Sequence, residues 1–523
     1  MSFSEHLLIV PIVLPLAAGA AMLLVDERRL ALKAAMGVAA TLVLVAAAVA
    51  LVQAVDASAT QVYRVGDWPA PFGIVLAADR LAAVMVLLAS VLGFTSLVFS
   101  TARWHRAGPR FHALVQFLLM GVNGAFLTGD LFNLFVFFEV LLAASYGLAL
   151  HGSGTARVRA SLHYITVNLA ASLLFLIGAS LIYGVTGTLN MADLALRIPA
   201  LAEEDRVLIE AGAAILGIAF LVKAGMWPLC FWLPPAYSVA SAPAAALFAV
   251  LTKVGVYVVL RTWLLFFGQE AGASAGFGGA ALIFGGMATL AFGATGVLAS
   301  QDLSRLASYS LLVSSGTLLA AVGMGSAAIT SAALYYLVAS TLGVSALFLL
   351  VELMQRGRTP GADIVAVTAE AYVEPDEQLD PEEEAGVAIP AAVAVLGVSF
   401  ACCALTLAGL PPLAGFIGKF ALLDALLNGD RVTAASWTLL VLLMGSGLAA
   451  IIGMGRAGVR RFWASPADSI PRVRVIEIAP IVALLALCAG LTIEAAPIMR
   501  YMKDAAQALH APHGYIERVL SLP

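Results

Sequence analysis

Residues 131–150 read LFNLFVFFEVLLAASYGLAL. Twenty residues of this composition, wound as a helix, cross the roughly 30 Å hydrocarbon core of a bilayer. Glu139 falls near the middle of the run. A lone charge at that depth costs about 2.5–3.5 kcal/mol on insertion scales, so the carboxylate calls for a partner elsewhere in the chain. Comparable apolar runs recur along almost all of the 523 residues, 62% of which are hydrophobic and 11% charged. An average soluble domain carries roughly a quarter charged residues. The runs are continuous rather than alternating, which excludes a transmembrane β-barrel. Laid against a ~20-residue ruler, they give about fourteen spans, centred near residues 15, 44, 90, 120, 140, 173, 218, 255, 287, 315, 341, 405, 446 and 486. The fold class is all-α and polytopic.

The first run has no basic segment before it and no convincing cleavage site, so it reads as a span rather than a removed signal. A net charge of −4 gives nucleic acid nothing to bind. The four cysteines lie in apolar segments without CxxC spacing. Walker, dinucleotide-binding and zinc signatures are missing, so no cofactor and no metal site is expected, and the energy source must be an ion gradient or a partner.

Alternate loops differ in charge. The set 26–33, 101–110, 151–160, 300–306, 356–387 and 456–475 holds sixteen Lys and Arg, and the opposite set holds eight. Positive charge marks the cytoplasmic side, so both termini are expected outside. The acidic segment 357–386 reads as a solvated cytoplasmic loop, and 62–80 as a short external hairpin.

Two spans carry proline where a helix should be regular. In FLVKAGMWPLCFWLPP, Pro228 cannot donate to the carbonyl of Ala224, beside Lys223. In TLAGLPPLAGFIGKFALL, Pro411 and Pro412 free the carbonyls of Leu407 and Ala408, with Lys419 two turns on. Irregular backbone at membrane depth survives only inside protein or beside a water-filled cavity. Two broken helices about five spans apart suggest an inverted-repeat transporter.

Lys223 and Lys253 are the only charges between residues 211 and 260. Glu139 and Lys223 form a natural pair at similar depth, and each favours ionisation of the other while they are close. Separating them releases a proton, which makes the pair a switch. Lys253 and Lys419 then continue a relay through ordered water. Ser314, Ser315, Tyr336, Ser340 and Thr341 supply hydroxyls that order such water, and His163 is a candidate for extending the access route. Asp130 begins the fifth span and reads as its cap.

Three stretches, GDLFNLFVFFEVLLAASYGL, FLVKAGMWPLCFWLPPAYSVASAPAAALFAVLTKVGVYVVLR and AGLPPLAGFIGKFALL, together resemble the antiporter-like subunits of respiratory complex I. The nearest branch is the D-type subunit of the Mrp-type multisubunit Na⁺/H⁺ antiporters. The resemblance implies fourteen helices with two inverted five-helix repeats, here 111–268 and 276–460. An N-terminal three-helix segment, 1–110, precedes them, and helix 14 with the tail occupies 461–523. It implies discontinuous helices 7 and 12, and a mid-plane proton path through Glu139, Lys223, Lys253 and Lys419. It also implies partner subunits, a prokaryotic plasma membrane, and protons with Na⁺ or a similar cation as cargo rather than substrate chemistry. Relatives carry a histidine near Ala339 and a lysine near Val344. Their absence here leaves the middle of the relay to water and hydroxyls. The short extent beyond helix 14 favours the D-type branch over the A-type. The alternative within the family is a proton-pumping subunit of a redox complex, complex I or a membrane-bound hydrogenase. A scaffold that has lost transport is the reading from another class.

Overall fold

The computed structural model describes residues 6–356, 390–429, 432–462 and 473–521. The acidic segment 357–386 therefore lies outside the described residues. Within them, eleven helices are long and apolar enough to cross a membrane, and three apolar helices are shorter. These fourteen match the fourteen expected spans. We label them α1 (Val10–Leu24), α2 (Leu30–Ser58), α3 (Arg80–Ser100), α4 (Phe111–Leu127), α5 (Leu131–Ala149), α6 (Thr155–Thr186), α7a (Glu203–Ala224), α8 (Ala242–Phe267), α9 (Gly279–Ala299), α10 (Leu303–Gly323), α11 (Ala327–Arg356), α12a (Pro390–Ala408), α13 (Ala434–Phe462) and α14 (Val475–Ile493). Beyond their breaks, helices 7 and 12 resume as α7b (Leu233–Val239) and α12b (Ala414–Leu427).

Between α2 and α3, Thr60–Arg64 (β1) pairs antiparallel with Val75–Asp79 (β2), the expected hairpin. Two helices close the chain, α15 (Ala495–His510) and α16 (His513–Leu520). By hydropathy alone this region reads as a plain tail. Its apolar residues are spaced for one face only, and Met502, Leu509, Tyr515 and Val519 are buried.

α8 is the axis of the molecule, because its apolar length is buried throughout. α10 and α11 flank it with 89% of theirs buried, whereas α2 and α14 bury only 28%. Long apolar helices that bury so little face lipid or a neighbouring chain.

Side-chain networks tie loops together at each end. At the arginine-rich end, Trp104 donates to Glu352 (2.5 Å), Arg356 pairs with Glu352 and Glu477, and Gln355 donates to Asp302 (3.0 Å). At the hairpin end, the Arg261 guanidinium forks onto both Asp79 oxygens at 2.7 and 2.6 Å. The Tyr515 ring lies 5.1 Å from that guanidinium, and Arg64 donates to Ser521. His6 packs against Tyr63 there, so both described termini lie at the hairpin end.

Burial alone would raise the Asp79 carboxyl, but the charge and hydrogen bonds of Arg261 offset this and hold it below the ordinary carboxylate range. A depressed folded value means that the pair's contribution is present above about pH 4 and fades as pH falls through the folded value. Removing one member leaves the other buried and uncompensated. Asp79→Ala should therefore cost about 3–5 kcal/mol of stability. Thermal unfolding in detergent checks this, with Asp79→Ala/Arg261→Leu expected to lose less than Asp79→Ala alone.

Candidate functional site

The two breaks are built alike. α7a ends at Ala224, and Gly225 turns out of the helix at φ 71°, a left-handed conformation that favours glycine. The Trp227–Pro228 bond is cis, and the Trp227 amide donates to Thr289 Oγ1 at 2.8 Å. The carbonyl of Ala224, freed by Pro228, accepts from the Ser315 hydroxyl. In helix 12, Gly409 makes the turn at φ 77° and the Pro411–Pro412 bond is cis. Here Lys419 itself satisfies both freed carbonyls: Nζ donates to Leu407 at 3.1 Å and to Ala408 at 3.0 Å. Proline chemistry read from sequence located all three carbonyls. Only the fold assigned their donors.

α8 presses on the first break. A Cβ added to Gly255 would stand 2.5 Å from the Ala224 amide nitrogen, inside any normal contact, so the close approach requires glycine. Gly255→Val should displace the Lys223–Ala224 backbone and cost about 1–3 kcal/mol as overpacking. The expected outcome, read in one preparation, is a lower unfolding midpoint together with lost transport.

Lys223 is 5% exposed. Its ammonium lies 4.8 Å from the centre of the Phe138 ring, and Nζ has no hydrogen-bond partner. Glu139 is within electrostatic reach of Lys223, yet the two form no ion pair and Glu139 Oε1 is buried without a partner. The structure thus holds the pair open. Glu139 is only half-buried, on the same flank of α5 as exposed Phe132 and Val136. Sequence could not have placed it there, since every face of this helix is apolar.

Lys253 is fully buried and donates to Ser314 Oγ at 2.8 Å. Ser314 in turn shares a 2.8 Å hydrogen bond with Ser340, and Tyr336 lies beside Ser314 and Thr317. A cavity begins at this cluster and is lined by Ser314, Tyr336, Ser340, Thr406, Leu407 and Ser446. Leu407 is the residue whose carbonyl holds Lys419. The cavity is small and is lined also by Val297, Val313 and Ala450, and it places hydroxyl groups between the Lys253–Ser314 contact and the second break, in the region where Ala339 and Val344 offer no titratable side chain. Thr406 and Ser446 carry no signal in the sequence, because a lone hydroxyl in an apolar span usually bonds its own helix, as Thr341 does to Leu337 (2.6 Å).

Other expected residues stand apart. Ser315 serves the break rather than the cavity. His163 is exposed on α6, with Nδ1 3.1 Å from its own helix's Arg159 carbonyl. Asp130 caps α5 by accepting from the Asn133 amide at 2.9 Å.

The family described as "NADH:quinone oxidoreductase/Mrp antiporter, TM" matches residues 128–449, which include both breaks and all four mid-span charges. A probable K⁺/H⁺ antiporter D-type subunit of Rhizobium meliloti is 58% identical over 99% of this chain and 98% of its own length. A Na⁺/H⁺ antiporter D-type subunit of Alkalihalophilus pseudofirmus is 36% identical over 99% of both chains. Among solved structures, a chain of the Mrp complex from Dietzia sp. DQ12-45-1b superposes with a TM-score of 0.81, at 27% identity and full coverage of both chains. With the family matched over more than half of the chain and relatives at 58% and 36% identity covered over almost their whole length, the chain belongs to the NADH:quinone oxidoreductase/Mrp antiporter membrane family, as a member of its D-type branch.

Proposed function

We propose that this chain is the proton-carrying subunit of a multisubunit monovalent cation/proton antiporter. Protons pass along the mid-plane through Glu139, Lys223, Lys253 and Lys419. The observation that carries the reading is the run of polar contacts from Lys253 through Ser314 and Ser340 to a small cavity that is also lined by Leu407, the residue whose carbonyl accepts from Lys419. Such a file is costly in an apolar interior unless it conducts, because buried charge that merely staples helices gives little net stability. The chain is a transporter subunit rather than an enzyme.

The paired breaks support two inverted repeats, 111–268 and 276–460, framed by 1–110 and 461–523. The charge bias supports placing the arginine-rich end in the cytoplasm and both termini outside. The placement of Glu139 on the outward flank of α5 supports partner subunits, since a carboxyl residue at mid-span near the perimeter is far cheaper against protein than against lipid. Potassium is the first cation to test, because the relative at 58% identity bears it in its name, with sodium second.

Everted vesicles from an antiporter-deficient host expressing the complete gene cluster would be given a preformed ΔpH. Addition of K⁺ or Na⁺ is expected to collapse it, as read by a pH-sensitive dye. Failure of both cations to do so would overturn the antiporter reading in favour of the redox-driven pump.

A further inference from the structure

α4 carries a second polar face, which the relay does not use. His112, Gln116 and Asn123 are spaced four and seven residues apart, so they share one side of the helix, and all three are at least 98% buried. That side faces α1 and α2. Gln116 donates to the Gly37 carbonyl at 3.2 Å, and Thr41 donates to the same carbonyl at 3.0 Å. Asn123 donates to the Pro11 carbonyl at 2.9 Å. That carbonyl is free because Pro15, four residues on, has no N–H.

The acceptor side of this face is unfilled. Gln116 Oε1, Asn123 Oδ1 and His112 Nδ1 are all buried without a partner. Buried polar atoms are rarely left so, and ordered water is the usual reason. Near the arginine-rich end, His112 Nε2 lies 3.4 Å from His105 Nδ1. Lys33, one turn before Gly37, pairs with Glu27 at 2.6 Å. At the inner limit, Gly121 and Gly124 of α4 abut Leu141 and Phe137 of α5, which sets Asn123 level with Glu139.

We infer that α1, α2 and α4 enclose a hydrated proton inlet running from the arginine-rich end to the depth of Glu139, separate from the lysine relay. The free groups are neutral lone pairs strung over roughly 16 Å of α4, so each can hold a water, whereas a dehydrated cation needs several such ligands around one point. A dehydrated cation would also need a compensating carboxylate at depth. At the mouth Glu27 is committed to Lys33, and at the inner limit Glu139 lies on the outward flank of α5 with exposed Phe132 and Val136. For its cargo the inlet rests on the proton-carrying reading above. Its hydration does not depend on that reading.

Two measurements on the intact complex in vesicles test it. In radiolytic hydroxyl-radical footprinting, His112 should be oxidised about tenfold faster than Phe126, which is also buried on the same helix but packs on the Tyr257 ring, because bound water delivers the radical locally. Gln116→Met combined with Asn123→Leu keeps volume and removes the free acceptors. It should lower proton uptake about tenfold and slow oxidation of His112, as expected when ordered water loses its partners. Oxidation of His112 no faster than that of Phe126 would mean a dry interface and overturn the inlet. Wild-type uptake in the double variant would overturn it as well, whatever the footprint. Glu139→Ala should leave the His112 footprint unchanged, so a failed relay and a failed inlet give different results.

Discussion

Glu139→Ala is expected to abolish cation-driven collapse of ΔpH at matched expression and assembly, a loss of about 100-fold or more for a group that exchanges the proton directly. Two features of the structure set this size. Glu139 Oε1 is buried with no hydrogen bond, and Lys223 Nζ is likewise unpaired. Neither atom therefore holds a neighbour by a hydrogen bond, and truncating Glu139 removes a charge without breaking an ion pair. A stapling role predicts the reverse, normal transport with a lower unfolding midpoint. Glu139→Asp should retain partial activity, because the carboxylate is preserved but withdrawn by one methylene from Lys223. Combining Glu139→Ala with Lys223→Ala should cost hardly more than either change alone, as expected for two residues that act as one unit.

Lys419→Met should fail in two ways that Lys419→Arg separates. The ammonium donates to both carbonyls of the second break. Methionine leaves two buried acceptors unsatisfied, at about 1–3 kcal/mol each. The unfolding midpoint should fall, and transport should drop by about 100-fold, the scale on which a positioned proton carrier acts. Arginine still donates to carbonyls but does not give up its proton at physiological pH. Lys419→Arg should thus recover much of the stability and little of the transport. Equal recovery of both would make Lys419 a brace for the break rather than a station on the path.

The same contrast explains why helix 12 is more legible in the sequence than helix 7. Both breaks follow from proline's missing N–H and from adjacent glycines, which are local properties. At helix 12 the donor is also local, since Lys419 lies eleven and twelve residues from the carbonyls it binds. At helix 7 the donor is Ser315, ninety-one residues away, and no pattern around Pro228 announces it. Arg261 repeats the lesson. Near a span end in sequence it looks like an interfacial charge, yet it closes a buried pair with Asp79, 182 residues distant.

The sequence by itself determined how many spans there are, where two of them break, and that four charged side chains lie within spans rather than in loops. These features depend on hydropathy, chain length and proline chemistry, each readable in a window of some twenty residues. Tertiary structure decided which flank of each helix faces inward. It turned Glu139 toward the perimeter, joined Lys253 to Ser314 and Ser340, and aligned the polar face of α4 with α1 and α2. The physical reason is that lipid tails are as apolar as a protein core. A membrane helix therefore carries no hydrophobic stripe to mark its buried side, and only the packing of small residues and polar partners from distant helices selects it.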